Sequence, residues 1–192
     1  MEKKSFVIPF DLTTGKIPED IKKPLQRRIS NLSGIFADQQ ALDMEVKKDD
    51  RLVYEFYDLG MPEKEGDLAF GTSIVYPGLV GDEYFMTKGH FHTILDTAEV
   101  YYCLSGYGLM MMESPEGEVE YQELHPGEAV YVPGRYAHRS VNLSLDEKLV
   151  TFFVFRADAG HDYGSIEEKG FRKLVLHGKD GYKIADNPAW KG

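Results

Sequence analysis

The sequence predicts an all-β-dominated sandwich or closed barrel, and three observations carry that expectation. Between Leu52 and Arg156 the chain divides into short strand-like runs at 52–57, 70–76, 83–87, 100–104, 109–113, 119–124, 129–132, 139–143 and 150–155. Turn residues punctuate them: Pro77-Gly78, Ser105-Gly106, Ser114-Pro115-Glu116-Gly117, Pro126-Gly127 and Pro133-Gly134. Many short strands at this spacing suit a sandwich or barrel better than a parallel α/β sheet. The composition agrees, because 19 glycines, 9 prolines and 12% aromatic residues favour strands and tight turns.

Residues 1–50 read as an arm around that core. A short basic helix, interrupted by Pro24, is expected over 19–29. A firmer helix is expected over 38–48, with Asp38 as N-cap and Leu42 and Val46 on one face. Residues 51–157 form the barrel core. In 158–192 a polar, glycine-containing loop leads to a short helix, which Ser165 and Glu168 would open as a capping box. A final hairpin is expected from 174–177 and 182–184 around Gly178–Gly181. No repeat or low-complexity linker interrupts the chain, so 1–192 reads as a single domain.

A net charge of -10 argues against nucleic acid and against an anionic membrane as partners. It does not exclude a small anionic substrate, whose charge is felt mainly by the groups that touch it. No run approaches the roughly 18 apolar residues of a membrane span, and the N-terminus shows no signal-peptide pattern. The single cysteine, Cys103, stands among Tyr101, Tyr102 and Leu104 and reads as an inert buried thiol, which suits a reducing cytoplasm.

His90 and His92 are two apart, so on an extended segment both rings face one side. Glu99 has the wrong parity for one straight strand and needs a hairpin turn near Leu95-Asp96-Thr97 to reach the same point. His138, after the Pro133-Gly134 turn, can join them across a closed barrel. Three imidazoles and a carboxylate make a borderline N/O donor set, suited to Fe(II), Mn(II), Ni(II), Co(II) or Zn(II).

These motifs resemble the cupins, with His90-Phe91-His92, Glu99 and Gly106 in a first motif and Gly127, Pro133, His138 and Asn142 in a second. Arg135 stands where the second motif often has glycine, and Tyr84 where the first often has one. A narrower resemblance runs over nearly the whole chain. Thr87-Lys88-Gly89-His90-Phe91-His92, Ala98-Glu99-Val100-Tyr101, Ala157-Asp158-Ala159-Gly160-His161-Asp162-Tyr163-Gly164 and Asp186-Asn187-Pro188 are similar to the archaeal-type, metal-dependent glucose-6-phosphate isomerases.

That resemblance implies a cupin double-stranded β-helix (a jelly-roll barrel) with short peripheral helices. It implies one divalent metal per subunit, Fe(II) first, on His90, His92, Glu99 and His138. The sugar phosphate would be held by Thr72, Ser73, Thr87 and Gly89, with Tyr54, Tyr101, His161 and Tyr163 lining the sugar site. The implied reaction is interconversion of glucose 6-phosphate and fructose 6-phosphate, through a cis-enediol with Glu99 as base or through a metal-assisted hydride shift. Tyr101 and His161 would assist, His161 in ring opening or proton relay. A homodimer is implied, and His125 and His177 match no role. The readings from other classes are a cupin dioxygenase and a non-catalytic sugar-binding cupin.

Overall fold

The computed structural model describes residues 5–59 and 63–192, so the first four residues of the predicted arm lie outside the described residues. Thirteen strands are described: Leu25–Arg28 (β1), Leu52–Asp58 (β2), Leu68–Val75 (β3), Leu79–Val80 (β4), Glu83–Tyr84 (β5), Glu99–Ser105 (β6), Gly108–Glu113 (β7), Val119–Leu124 (β8), Ala129–Val132 (β9), Ala137–Asn142 (β10), Leu149–Arg156 (β11), Lys173–Gly178 (β12) and Gly181–Asp186 (β13). Two α-helices, Gln39–Lys48 (α1) and Gly164–Lys169 (α2), flank them. None of the described helices is long and apolar enough to cross a membrane.

The strands form the expected cupin-type barrel. A six-stranded antiparallel sheet runs β1-β2-β3-β11-β6-β9, a three-stranded sheet runs β10-β7-β8, and a four-stranded sheet runs β13-β12-β5-β4. The inner faces meet where the rings of Tyr101 on β6 and His138 on β10 lie 5.6 Å apart. Strand parity sets what enters the lumen. Gly71 and Ser73 of β3, Phe153 of β11 and Tyr101 of β6 form continuous rungs, because Phe153 pairs with both Gly71 and Tyr101. Packing follows, with Phe56 stacked on Phe153 at 4.7 Å and Phe153 against Phe155 at 5.9 Å.

Helix α1 begins after Asp38, whose carboxylate accepts the Ala41 N–H at 2.9 Å. Other expectations need correction. The basic helix over 19–29 is instead the edge strand β1 followed by a 3-10 turn at Ile29–Leu32. Three of the four β1 residues are exposed, so the strand carries no apolar alternation to betray it. The predicted strand 83–87 is paired as a strand only at Glu83–Tyr84, and its remainder joins β10 through a Met86–Val141 bridge. The Ser165 capping box does not form: Tyr163 occupies the N-cap of α2, and the Asp162 carboxylate takes the Gly164 N–H at 2.9 Å and the Ser165 hydroxyl at 3.2 Å.

Cys103 is buried as expected, and burial first, then the Glu128 charge, push its thiol up to about 11. His125 is exposed and rests on Tyr107, while His177 lies 2.8 Å through its Nδ1 from the Tyr84 hydroxyl.

Candidate metal centre

Three segments deliver the four candidate ligands. His90 joins β10 through an antiparallel bridge to His138, with N–H to carbonyl distances of 3.3 and 3.1 Å. Phe91 bridges Asp162 in the C-terminal loop, which fixes the segment on its other side. Glu99 opens β6 between Phe155 of β11 and Val132 of β9. The turn predicted between His92 and Glu99 exists, with Thr97 N–H donating to Ile94 O at 3.0 Å. Its two flanks do not pair with each other, and each is captured by a different strand.

That turn is locked against the loop before His138. A Cβ on Gly134 would meet Asp96 backbone atoms at 2.7 to 3.0 Å. Arg135 adopts φ 74, the left-handed conformation that a glycine would adopt more cheaply, and its N–H donates to Leu95 O at 2.6 Å. Its guanidinium is paired with Glu116. The close approach of these two loops sets Glu99 and His138 side by side.

The ligand atoms of His90, His92, Glu99 and His138 all lie within 4.8 Å of one another. Glu99 Oε2 is 2.9 Å from His138 Nε2 and 3.2 Å from His92 Nε2. The Nε2 atoms of the three histidines and Glu99 Oε2 are buried without a hydrogen-bond partner. Four orphaned polar atoms at one buried point are costly unless something binds them. Two of the rings are oriented from behind, with His92 Nδ1 3.2 Å from Gly160 O and His138 Nδ1 3.3 Å from Tyr136 O. Those carbonyls place the proton on Nδ1 and leave the Nε2 lone pair free, the arrangement that metal-ligating histidines use. Burial, then the neighbouring imidazoles of His138, His161 and His92, hold His90 well below its usual range. Burial alone would raise the Glu99 carboxyl, but His138 and His92 outweigh it and bring it to about 2. A carboxylate oxygen and three imidazole Nε2 atoms aimed at one buried point are the donor set a divalent metal requires, so the residues fit such an ion.

A cavity of about 380 Å³ opens onto this centre. Tyr54, Ser73, Thr87, Gly89, Tyr101, His161 and Tyr163 all line it. Thr72 does not. Its parity on β3 turns it out of the lumen, where its hydroxyl donates to Gly15 O at 2.5 Å. Ser73, next in the strand, faces in with its hydroxyl buried and unpartnered. Thr87 Oγ1 accepts the Ser140 N–H at 3.0 Å. Gly89 has φ 80, and a Cβ there would strike the Phe171 ring at 2.7 Å, so the backbone alone forms this wall. Burial, then the Glu99 charge, push the Tyr101 hydroxyl well above its usual range and keep it a donor. Burial also raises Tyr54, partly offset by the Arg27 charge, and lifts Tyr163 to about 12. His161 is lowered by burial against the opposing pull of Glu99. Its ring sits 4.4 Å from that of His90 and stacks on Tyr163 at 5.8 Å. The sequence reading missed Arg27, Lys22 and Lys88 at the mouth, and Ser140 inside.

The sequence profile of the glucose-6-phosphate isomerase (GPI) family matches residues 26–191. The chain is similar to a glucose-6-phosphate isomerase of Pyrococcus furiosus, at 48% identity over 191 residues covering 100% of each chain. It is similar to one of Thermococcus kodakarensis at 49% over 189 residues, 98% of each chain. A putative glucose-6-phosphate isomerase 1 of Rhizobium meliloti is 41% identical over 184 residues, covering 94% of this chain and 85% of the relative.

Proposed function

The chain belongs to the glucose-6-phosphate isomerase family, and from that premise we propose that it interconverts glucose 6-phosphate and fructose 6-phosphate in the cavity above the His90–His92–Glu99–His138 centre. The observation that carries this reading is the convergence of four orphaned, buried donor atoms beneath a cavity with polar walls. A divalent metal held by those four atoms supplies Lewis acidity toward the sugar's carbonyl and hydroxyl oxygens. Fe(II) is our first choice within the borderline N/O set.

The remaining work falls to the chain itself. Ser73, Thr87 and the Gly89 backbone hold the phosphate. Tyr101 stays protonated and donates to a sugar oxygen. Glu99 is the carboxylate at the inner end: it takes a proton from one of C1 and C2 and returns it to the other through a cis-enediol, while a second proton passes between O1 and O2. His161, stacked on Tyr163 across from His90, assists ring opening. A dioxygenase would have no use for the buried, unpartnered Ser73 hydroxyl beside Thr87, and this favours the isomerase.

Chelation is expected to abolish conversion of fructose 6-phosphate in a coupled dehydrogenase assay, with activity restored by Fe(II), Mn(II), Ni(II), Co(II) or Zn(II) added singly. Full activity after the metal is stripped would sink the reading. The order of restoration tests the choice of Fe(II). The same assay with mannose 6-phosphate decides whether the site also accepts the C2 epimer.

We also infer a homodimer in the cytoplasm. The outer face of the six-stranded sheet supports the dimer, since Leu68, Tyr102 and Tyr131 are 57%, 41% and 63% exposed there. Light scattering at micromolar concentration is expected to give twice the 21.8 kDa chain mass, and a monomer would refute it. The single cysteine, free and buried, suits a reducing compartment.

A further inference from the structure

The mouth of the cavity is built by a different part of the chain from its floor. Strand β1 pairs with β2 so that Arg27 lies directly opposite Tyr54, and directly paired residues project to the same face of a sheet. Both side chains line the cavity. Among the β1 residues only Arg27 is partly covered. The register shifts between Arg27 and Arg28, and Arg28, which does not line the cavity, donates from its guanidinium to Asp50 O at 2.7 Å.

Arg27 forms no ion pair among the described residues. Its Nη1 donates to the Gln26 carbonyl at 3.2 Å, and it acts on the Tyr54 hydroxyl both as a charge and as a hydrogen-bond donor. By contrast, the Lys88 ammonium at the same mouth is already paired with Glu167. Asp58 lines the same cavity, and at the Tyr163 hydroxyl its charge opposes that of Arg27, the Arg27 effect being the larger. A guanidinium with no ion pair among the described residues, over a cavity in a chain of net charge -10, is placed for an anion. The second, independent sign is Ser73, which is 2% exposed and presents an unpartnered hydroxyl to the same cavity.

We propose that Arg27 binds the substrate's phosphate, its guanidinium closing from above an anion site whose floor is the Ser73 hydroxyl and the Gly89 backbone. The identity of the anion rests on the isomerase reading. The chemistry does not, because a planar guanidinium fork matches phosphate oxygens in pairs. β1 thereby gains a role that its exposed, polar sequence does not otherwise explain.

The test is calorimetric titration of the metal-loaded protein with inorganic phosphate, in the wild type and in Arg27→Ala, Arg27→Lys and Arg28→Ala. Removal of Arg27 is expected to weaken phosphate by about 10- to 100-fold, the range for a hydrogen bond to a charged group. Lysine is expected to recover part of the loss, and Arg28→Ala to bind as the wild type does. In the isomerase assay, KM for fructose 6-phosphate is expected to rise with the phosphate Kd in Arg27→Ala, with a far smaller change in kcat. Three results overturn the proposal: no phosphate binding by the wild type, unchanged binding in Arg27→Ala, or an equal loss in Arg28→Ala, which would mark a diffuse charge effect. A wild type that binds phosphate through Arg27 yet isomerises no sugar phosphate would overturn the functional reading and leave this assignment standing.

Discussion

Replacing Glu99 by glutamine is expected to lower kcat/KM by about a thousandfold or more, the loss of a positioned base combined with a weakened metal site. Glutamine keeps the shape in a pocket where Glu99 is 2% exposed, so the fold should survive and the loss can be assigned to chemistry. What changes is the charge at Oε2, which lies between His138 Nε2 at 2.9 Å and His92 Nε2 at 3.2 Å. An amide presents either a neutral oxygen or an N–H group there, and neither matches a carboxylate as a ligand. Two measurements separate the contributions. Metal content after gel filtration reports the ligand role, and turnover at saturating metal reports the base role. Turnover in D₂O then examines the route: solvent deuterium in the product supports the enediol, and its absence supports a hydride shift in which Glu99 is ligand alone. A carboxylate that also serves as a metal ligand is weakened as a base, so the isotope experiment decides between the two routes. Normal turnover by the variant would remove Glu99 from the base role.

Of the four candidate ligands, His90 and His92 were legible locally, because they share a face through the two-residue repeat, while Glu99 and His138 were legible through the motif resemblance and meet the pair only across the barrel. Strands β8 and β9 match the expected limits because turn residues bound both. What stayed hidden depends on pairing. Thr72 and Ser73 are adjacent hydroxyl residues, and only the register of β3 against β2 and β11 decides which enters the lumen. A weak signal was present, since Ala69, Gly71 and Ser73 form a small-residue row of one parity, but without a partner strand it has no inside. β1 was misread because Gln26, Arg27 and Arg28 favour helices and an edge strand with exposed faces lacks the apolar alternation that marks buried ones. The cavity mouth went unseen for the same reason, because Arg27 and Tyr54 meet only through the pairing of β1 with β2.

The same pairing logic predicts where the fold is most vulnerable. Phe153 is fully buried and links the aromatic floor of the cavity, stacked on Phe56 at 4.7 Å and packed 6.0 Å from the Tyr101 ring. Phe153→Ala is expected to destabilise the protein by about 3–5 kcal/mol, lost transfer energy plus the cavity left behind. For a chain of this size that corresponds to a fall in Tm of roughly 6–20 °C, readable by calorimetry on the metal-loaded protein. The site has little means of collapsing. Opposite the ring stands Gly71, whose added Cβ would lie 2.9 Å from the Phe153 Cζ and 1.7 Å from the Tyr57 carbonyl oxygen. The second contact is with backbone, so a methyl group at Gly71 cannot refill the space left by the phenyl ring. Gly71→Ala should therefore destabilise the protein in either background. Recovery of Tm in the Gly71→Ala/Phe153→Ala double variant relative to Phe153→Ala would show that β2 and β3 can separate there, and that the barrel wall beside Ser73 is softer than its hydrogen-bonded register implies.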